Sequence, residues 1–135
     1  MGQSELPRIK SKPFKLRPMK SYPKIYFINV PINQQGIEER ESWDELMPNV
    51  RTFELTTTEY DRLIKVFNVW NKAFDLFIDS FEEEEMQAED VPEALSLLDE
   101  FINKSDSSEF LAAVQKLKSG LQLAVDLGMK IYFDF

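Results

Sequence analysis

Tyr60, Leu63, Phe67, Trp70, Phe74, Phe77 and Phe81 follow one another at spacings of 3, 4, 3, 4, 3 and 4. An α-helix turns once in about 3.6 residues, so this spacing predicts one stripe along a helix over 58–82, roughly six turns long. Thr57 or Thr58 can cap its start, and Glu59 and Asp61 suit the positive end of its dipole. Six of the seven residues are aromatic. Flat rings fill a broad globular core better than the narrow seam of a coiled coil, so the stripe is predicted to face a core of the same chain. The 135 residues suit one domain, and a hydrophobic share of 43% is enough to build that core.

The other layer comes from short β-forming runs. Residues 24–30 (Lys-Ile-Tyr-Phe-Ile-Asn-Val) are β-branched and aromatic and end at Pro31, which predicts a strand. Residues 50–55 alternate apolar and polar with period two, as a half-buried strand does. Residues 130–135 repeat Lys-Ile-Tyr-Phe and predict a third strand near the first. Between the first two, residues 33–36 suggest a turn, and Ile37, Trp43, Leu46 and Met47 a short amphipathic helix ending before Pro48. Asp90-Val91-Pro92-Glu93 and Asp106-Ser107-Ser108-Glu109 are helix-start signals. Apolar residues follow each at helical spacing, Leu95, Leu98, Phe101 and Ile102 after the first, and Gly128 closes the last helix. The expected fold class is α+β, a small sheet packed against a helical layer.

Charge divides the chain. Residues 1–25 carry seven Lys and Arg against Glu5, a net of +6, while the remainder stands at −14. Pro7, Pro13, Pro18 and Pro23 punctuate the basic part, so 1–23 is expected to be an extended or disordered arm ahead of a single acidic domain over 24–135. An acidic body speeds encounter with cationic proteins and repels nucleic acid. No stretch approaches the roughly 18 apolar residues of a membrane span, and no apolar region of the secretory type follows the N-terminal basic residues, so the expected location is cytoplasmic.

The chain has neither cysteine nor histidine. Disulfides, thiolate and imidazole metal ligands, and the Ser-His and Cys-His nucleophile pairs are thereby excluded. Four scattered glycines make no phosphate loop. Asp75, Asp79 and Glu82, at i, i+4 and i+7, would share one side of the long helix, with Glu83, Glu84 and Glu85 close by. Such oxygens can hold a hard cation or share acid–base work, but no calcium-loop pattern accompanies them. They serve equally as a binding surface. Trp43, between Glu41-Ser42 and Asp44-Glu45, is a candidate interface anchor or a core plug. No cofactor, metal site or catalytic set is expected.

The acidic run Glu82–Glu85 with Asp75 and Asp79, and the ending Leu127-Gly128-Met129-Lys130-Ile131-Tyr132-Phe133-Asp134-Phe135, give the body a layout that resembles the small bacterial immunity proteins. That resemblance implies a non-enzymatic inhibitor of a cationic toxin, often a nuclease. Carboxylates would take the place of phosphate before the toxin's Lys and Arg, and an aromatic such as Trp43 would fill its cleft. Trp43, Asp75, Asp79 and Glu82–Glu85 are then the expected partner-binding residues, on a monomer or weak dimer. The alternative is a structural or adaptor protein that self-assembles through the aromatic helix 58–82.

Overall fold

The computed structural model describes residues 24–135; the basic arm expected over 1–23 lies outside the described residues. Three strands form where the β-rich runs place them: β1 (Ile25–Pro31), β2 (Val50–Thr56) and β4 (Ile131–Asp134). A fourth, β3 (Glu83–Met86), completes an antiparallel sheet in the order β2-β1-β4-β3. Helices α2 (Thr57–Phe74), α3 (Val91–Lys104) and α4 (Ser108–Leu127) lie on one face, and the short α1 (Gln34–Glu41) joins β1 to β2. The fold is α+β, as the sequence predicts.

Alternation along the strands explains why the helices gather on one side. Tyr26, Ile28 and Val30 of β1 and Ile131 and Phe133 of β4, followed by Phe135, all point into the helical layer and are buried. The stripe on α2 meets them. Tyr60 stacks on Tyr26 with ring centres 4.1 Å apart, and the Phe135 ring stands edge-on to both and to Phe67. Trp70 lies against Phe67 and Phe133 and donates its indole N–H to the Ala94 carbonyl of α3. Edge-to-face packing suits the ring quadrupoles, and the indole is left with no buried unsatisfied donor.

Tyr60, Leu63, Phe67 and Trp70 of the stripe are core and Phe74 packs partly buried against it, but the helix is shorter than the spacing suggests. Thr56, not Thr57 or Thr58, caps α2 in a reciprocal capping box with Glu59. The helix ends at Phe74 because Asp75 takes a left-handed conformation, φ 56° and ψ 52°. Asn71 then fixes the reversal, its side-chain amide bonding both the N–H and the C=O of Ile78. As a result Ile78 enters the core, while Phe77 is 58% and Phe81 82% exposed. A local side-chain bond to backbone has competed successfully with helix propagation.

The second departure is β3. Glutamate is a poor strand former, yet Glu83–Met86 pairs residue by residue with β4, from Glu83 opposite Asp134 to Met86 opposite Ile131. Complete burial of Met86 and backbone pairing outweigh the weak local preference.

The third concerns residues 33–49. Asn33 is a helix cap, accepting from the Gly36 N–H, so the expected turn at 33–36 is the start of α1. This helix has no apolar face, and its buried residues are Gly36, Glu39 and Arg40. Of the residues expected to line a helix over 37–49, Trp43, Leu46 and Met47 lie in the following loop. Gly36 is required there, because a Cβ would run into the backbone of Asn49. Later signals are close to the mark. Asp90 makes no side-chain cap bond but ends a 3-10 turn, Ala88–Asp90, that runs into α3. Beyond it, Leu98 is fully buried, whereas Leu95, Phe101 and Ile102 are half-buried. Ser107 caps α4, and Gly128 ends it at φ 66°.

The split stripe makes a direct test. Phe67→Ala is expected to cost about 3–5 kcal/mol of unfolding free energy. Phe77→Ala is expected to change it by about 0.5 kcal/mol or less. Denaturant midpoints check both, and equal losses would contradict the break at Asp75.

Candidate functional site

The face of the sheet turned away from the three long helices is polar. Strand register places Thr52, Asn29, Tyr132 and Glu85 in one row across it, and Glu54, Phe27, Asp134 and Glu83 in the next. Asp134 and Glu83 are therefore like charges directly opposite one another, an arrangement that is unfavourable by itself.

Arg40, from the last turn of α1, resolves it. Its Nε donates to Asp134 Oδ2 at 2.8 Å and its Nη2 donates to Asp134 Oδ1. The Glu83 carboxylate lies 3.6 Å away. Asn29 adds a third hydrogen bond to Asp134 at 2.7 Å, and Thr52 holds Asn29 from behind at 2.6 Å. The Arg40 and Asp134 side chains are only 8% and 6% exposed. Burial alone would lower the pKa of Arg40, but the Asp134 hydrogen bonds and charge, with Glu83, outweigh it and raise the value. The fork-shaped guanidinium suits this two-oxygen grip, which a lysine would not reproduce.

The same guanidinium packs on aromatic faces, 4.4 Å from the centre of Tyr132 and 4.0 Å from that of Trp43. Tyr132 donates its hydroxyl to Glu41 at 2.6 Å, and burial together with that bond raises its pKa. Lys130 pairs with Glu85 at 2.8 Å, holding that carboxyl below its ordinary pKa despite some opposing burial. Arg40, Glu41, Glu83, Glu84, Glu85 and Tyr132 together line a shallow hollow of about 230 Å³.

Trp43 sits at the rim with φ 50°, a left-handed conformation that costs a bulky residue about 1–3 kcal/mol. The strain is held from both sides. Its N–H bonds the Arg40 carbonyl, and the Asp44 N–H bonds that of Glu39. The buried Glu39 carboxylate in turn accepts from the backbone and side chain of Asn49, fastening the far end of the loop. Residues 42–49 thus present Trp43, 47% exposed, and Leu46, 81% exposed, among Glu41, Asp44 and Glu45.

Of the residues singled out from sequence, the fold brings Trp43 and Glu83–Glu85 together around Arg40. It does not bring Asp75 and Asp79 into that group. Because α2 stops at Phe74, the three-carboxylate helical side is not formed. Asp75 occupies the helix terminus, and Asp79 accepts from the Tyr60 hydroxyl and the Ser80 N–H. Burial and the Asp79 bond raise the Tyr60 pKa to about 12. Glu82 is exposed, beside the start of β3, and its carbonyl accepts from the Phe135 N–H. Among the described residues no group of three Asp or Glu is placed to hold a metal ion. No described helix is long and apolar enough to cross a membrane.

Sequence reasoning missed Arg40, Asp134, Tyr132 and Leu46. Only the alternation Ile131, Tyr132, Phe133, Asp134, Phe135 carried a signal, since it sets Tyr132 and Asp134 on the face opposite the core.

Some backbone groups on both edge strands are engaged. On β2 the Val50 N–H bonds the Met47 carbonyl, the Thr56 N–H bonds Glu59, and the Glu54 carbonyl accepts from Lys116. On β3 the Glu85 N–H bonds the Glu84 carboxylate, whose other oxygen accepts from Phe77.

Arg40→Ala leaves the Asp134 carboxylate buried without its cation, and is expected to cost about 3–5 kcal/mol in a denaturant titration. Adding Asp134→Ala is expected to recover part of that loss. Glu85, with a folded pKa below its unfolded one, stabilises the fold fully above the ordinary carboxylate range and less as pH falls through the lowered value. Glu85→Gln is therefore expected to flatten the fall in melting temperature between about pH 5 and pH 3. An unchanged acid limb would contradict the Lys130 pairing.

Comparison with family models, curated proteins and solved structures found no match to this chain.

Proposed function

We propose that the chain is a non-catalytic binding protein whose polar sheet face docks a cationic protein, in the manner of an immunity-type inhibitor of a toxin. One observation carries the reading. A strained, half-exposed Trp43 packs on Arg40 with Glu41, Asp44 and Glu45 as near neighbours in the chain and Leu46 exposed three residues on, and the same Arg40 lines a hollow with Glu83–Glu85. Aromatic anchors rimmed by charge are the usual centre of a tight interface. Backbone strain at an exposed residue is maintained where a surface has a use for it.

The carboxylates would steer a basic partner and set its orientation, and Trp43 with Leu46 would enter an apolar cleft. A nuclease fits because its phosphate-binding Lys and Arg are the natural counterpart of such a surface. The chain would act in the cytoplasm as a monomer or weak dimer. Helix α2 supports this over self-assembly, since Tyr60, Leu63, Phe67 and Trp70 are buried in their own core.

The test uses the tagged full chain and an Asp44→Lys, Glu45→Lys, Glu82→Lys variant for capture from lysate. All three side chains are exposed, so the fold is expected to persist. A basic protein retained by the wild type should associate with the variant at least about tenfold more slowly, with a flatter salt dependence. A partner bound equally by both would contradict the reading.

A further inference from the structure

The helical layer is not evenly closed. Helices α2 and α3 both pack on α4, and they meet each other where the Trp70 indole donates to the Ala94 carbonyl. Beyond that point they part and leave two adjoining hollows. One, of about 220 Å³, is lined by Val69 of α2 and by Leu97, Glu100, Phe101 and Lys104 of α3. The other, of about 460 Å³, runs past Lys65, Arg62 and Asp61 to Ser107 and Phe110, and again includes Phe101 and Lys104. The shared residues make them one groove, open along 61–69 of α2, roughly two turns or about 12 Å.

The floor of the groove is apolar. Phe101 and Phe110 stand with ring centres 6.5 Å apart, Leu97 is half-buried, and Val69 is left 37% exposed. Leu97 and Phe101 are one helical turn apart, the interval at which the apolar side of a second helix also repeats. Cations reach in from both walls, Arg62 and Lys65 from α2 and Lys104 from α3. Residues 26–135 carry only nine Lys and Arg against 23 Asp and Glu. With Asp61, Glu100 and Asp106 on its rim, the groove is therefore electrically balanced on a strongly negative body. Its cations are also lightly engaged. Lys65 and Lys104 make no ion pair among the described residues, and Arg62 reaches Glu109 at 3.4 Å, a side chain 70% exposed. Lys116, Lys118 and Lys130, by contrast, hold Glu59, Asp99 and Glu85 at 2.8–3.1 Å.

We propose that this groove docks an acidic amphipathic helix of a partner protein, its apolar side on Val69, Leu97 and Phe101 and its carboxylates on Lys65 and Lys104. A helix laid in an apolar groove is read through anchors one turn apart, and the flanking charges set its register and reject basic sequences. Asp61, Glu100 and Asp106 confine the incoming carboxylates to the junction of the two hollows, where Lys104 belongs to both. The groove lies on the helical side of the sheet, away from Trp43. Both surfaces can be filled at once, and this inference does not depend on the binding reading above.

The test uses the isotopically labelled full chain and two synthetic helices with the same leucine pattern, one bearing glutamates and the other lysines. The glutamate helix is expected to shift the amide signals of residues 61–69 and 97–110 and to leave β2, β3 and 41–46 unmoved. Lys65 and Lys104 are exposed, so the double variant Lys65→Gln, Lys104→Gln should keep the dispersed spectrum of a folded chain. It should bind the glutamate helix about threefold to tenfold more weakly. No shift at millimolar peptide, shifts scattered over the surface, or equal binding of the lysine helix would overturn the proposal. So would equal shifts from a glutamate peptide without leucines, which would mark a general anion surface. Concentration-dependent shifts of the same residues in the chain alone would overturn it too, by giving the groove to a second copy.

Discussion

The contact between Arg40 and Asp134 joins everything on the polar side of the sheet. Strand β4 sends Ile131, Phe133 and Phe135 into the aromatic core, and by alternation must send Tyr132 and Asp134 the other way. A carboxylate in mid-sheet, opposite Glu83, is tolerable only with a cation and donors around it. Arg40, Asn29 and, behind it, Thr52 supply them. Because Arg40 comes from α1, satisfying Asp134 also fixes that helix and the loop that follows. Trp43 is placed as a consequence.

The two faces do different work. The core face owes its stability to interlocked rings from β1, α2 and β4, a non-directional and largely hydrophobic contribution. The polar face contributes geometry instead. A buried ion pair adds little net stability over a well-packed apolar pair, but removing one member is costly, so it defines position more than it adds energy. This suits a surface that presents an aromatic ring among carboxylates at a fixed angle.

What was legible in the sequence followed from periodicity. Strands at 24–30, 50–55 and 130–135, the core role of Tyr60, Leu63, Phe67 and Trp70, and the last two helices all leave apolar patterns with the right repeat. What was not legible depended on side chains bonding to backbone or to each other. Asn71 and Asp75 end α2 in the middle of an unbroken 3-4 pattern, because an amide grip on Ile78 leaves no trace in hydrophobic spacing. Helix α1 buries Glu39 and Arg40, for which no apolar period exists. Strand β3 is four residues of mostly glutamate, stabilised by Lys130, Arg40 and its pairing with β4. Trp43 and Glu83–Glu85 stand far apart in the sequence, and their common neighbour Arg40 is a tertiary fact. Asp75 and Asp79 were grouped with them only through a helix that ends too early.

Arg40 is a fixed structural tie, clamped by Asp134 and packed on Trp43 and Tyr132, and the face it organises is preformed. The most direct measurement is the NMR signal of the Arg40 Nε–H group in the isolated chain. A clamped group should give a sharp signal, shifted upfield by the two rings and slow to exchange with water. An averaged, rapidly exchanging signal at the ordinary arginine position would show Arg40 to be free, and the preformed face would not exist.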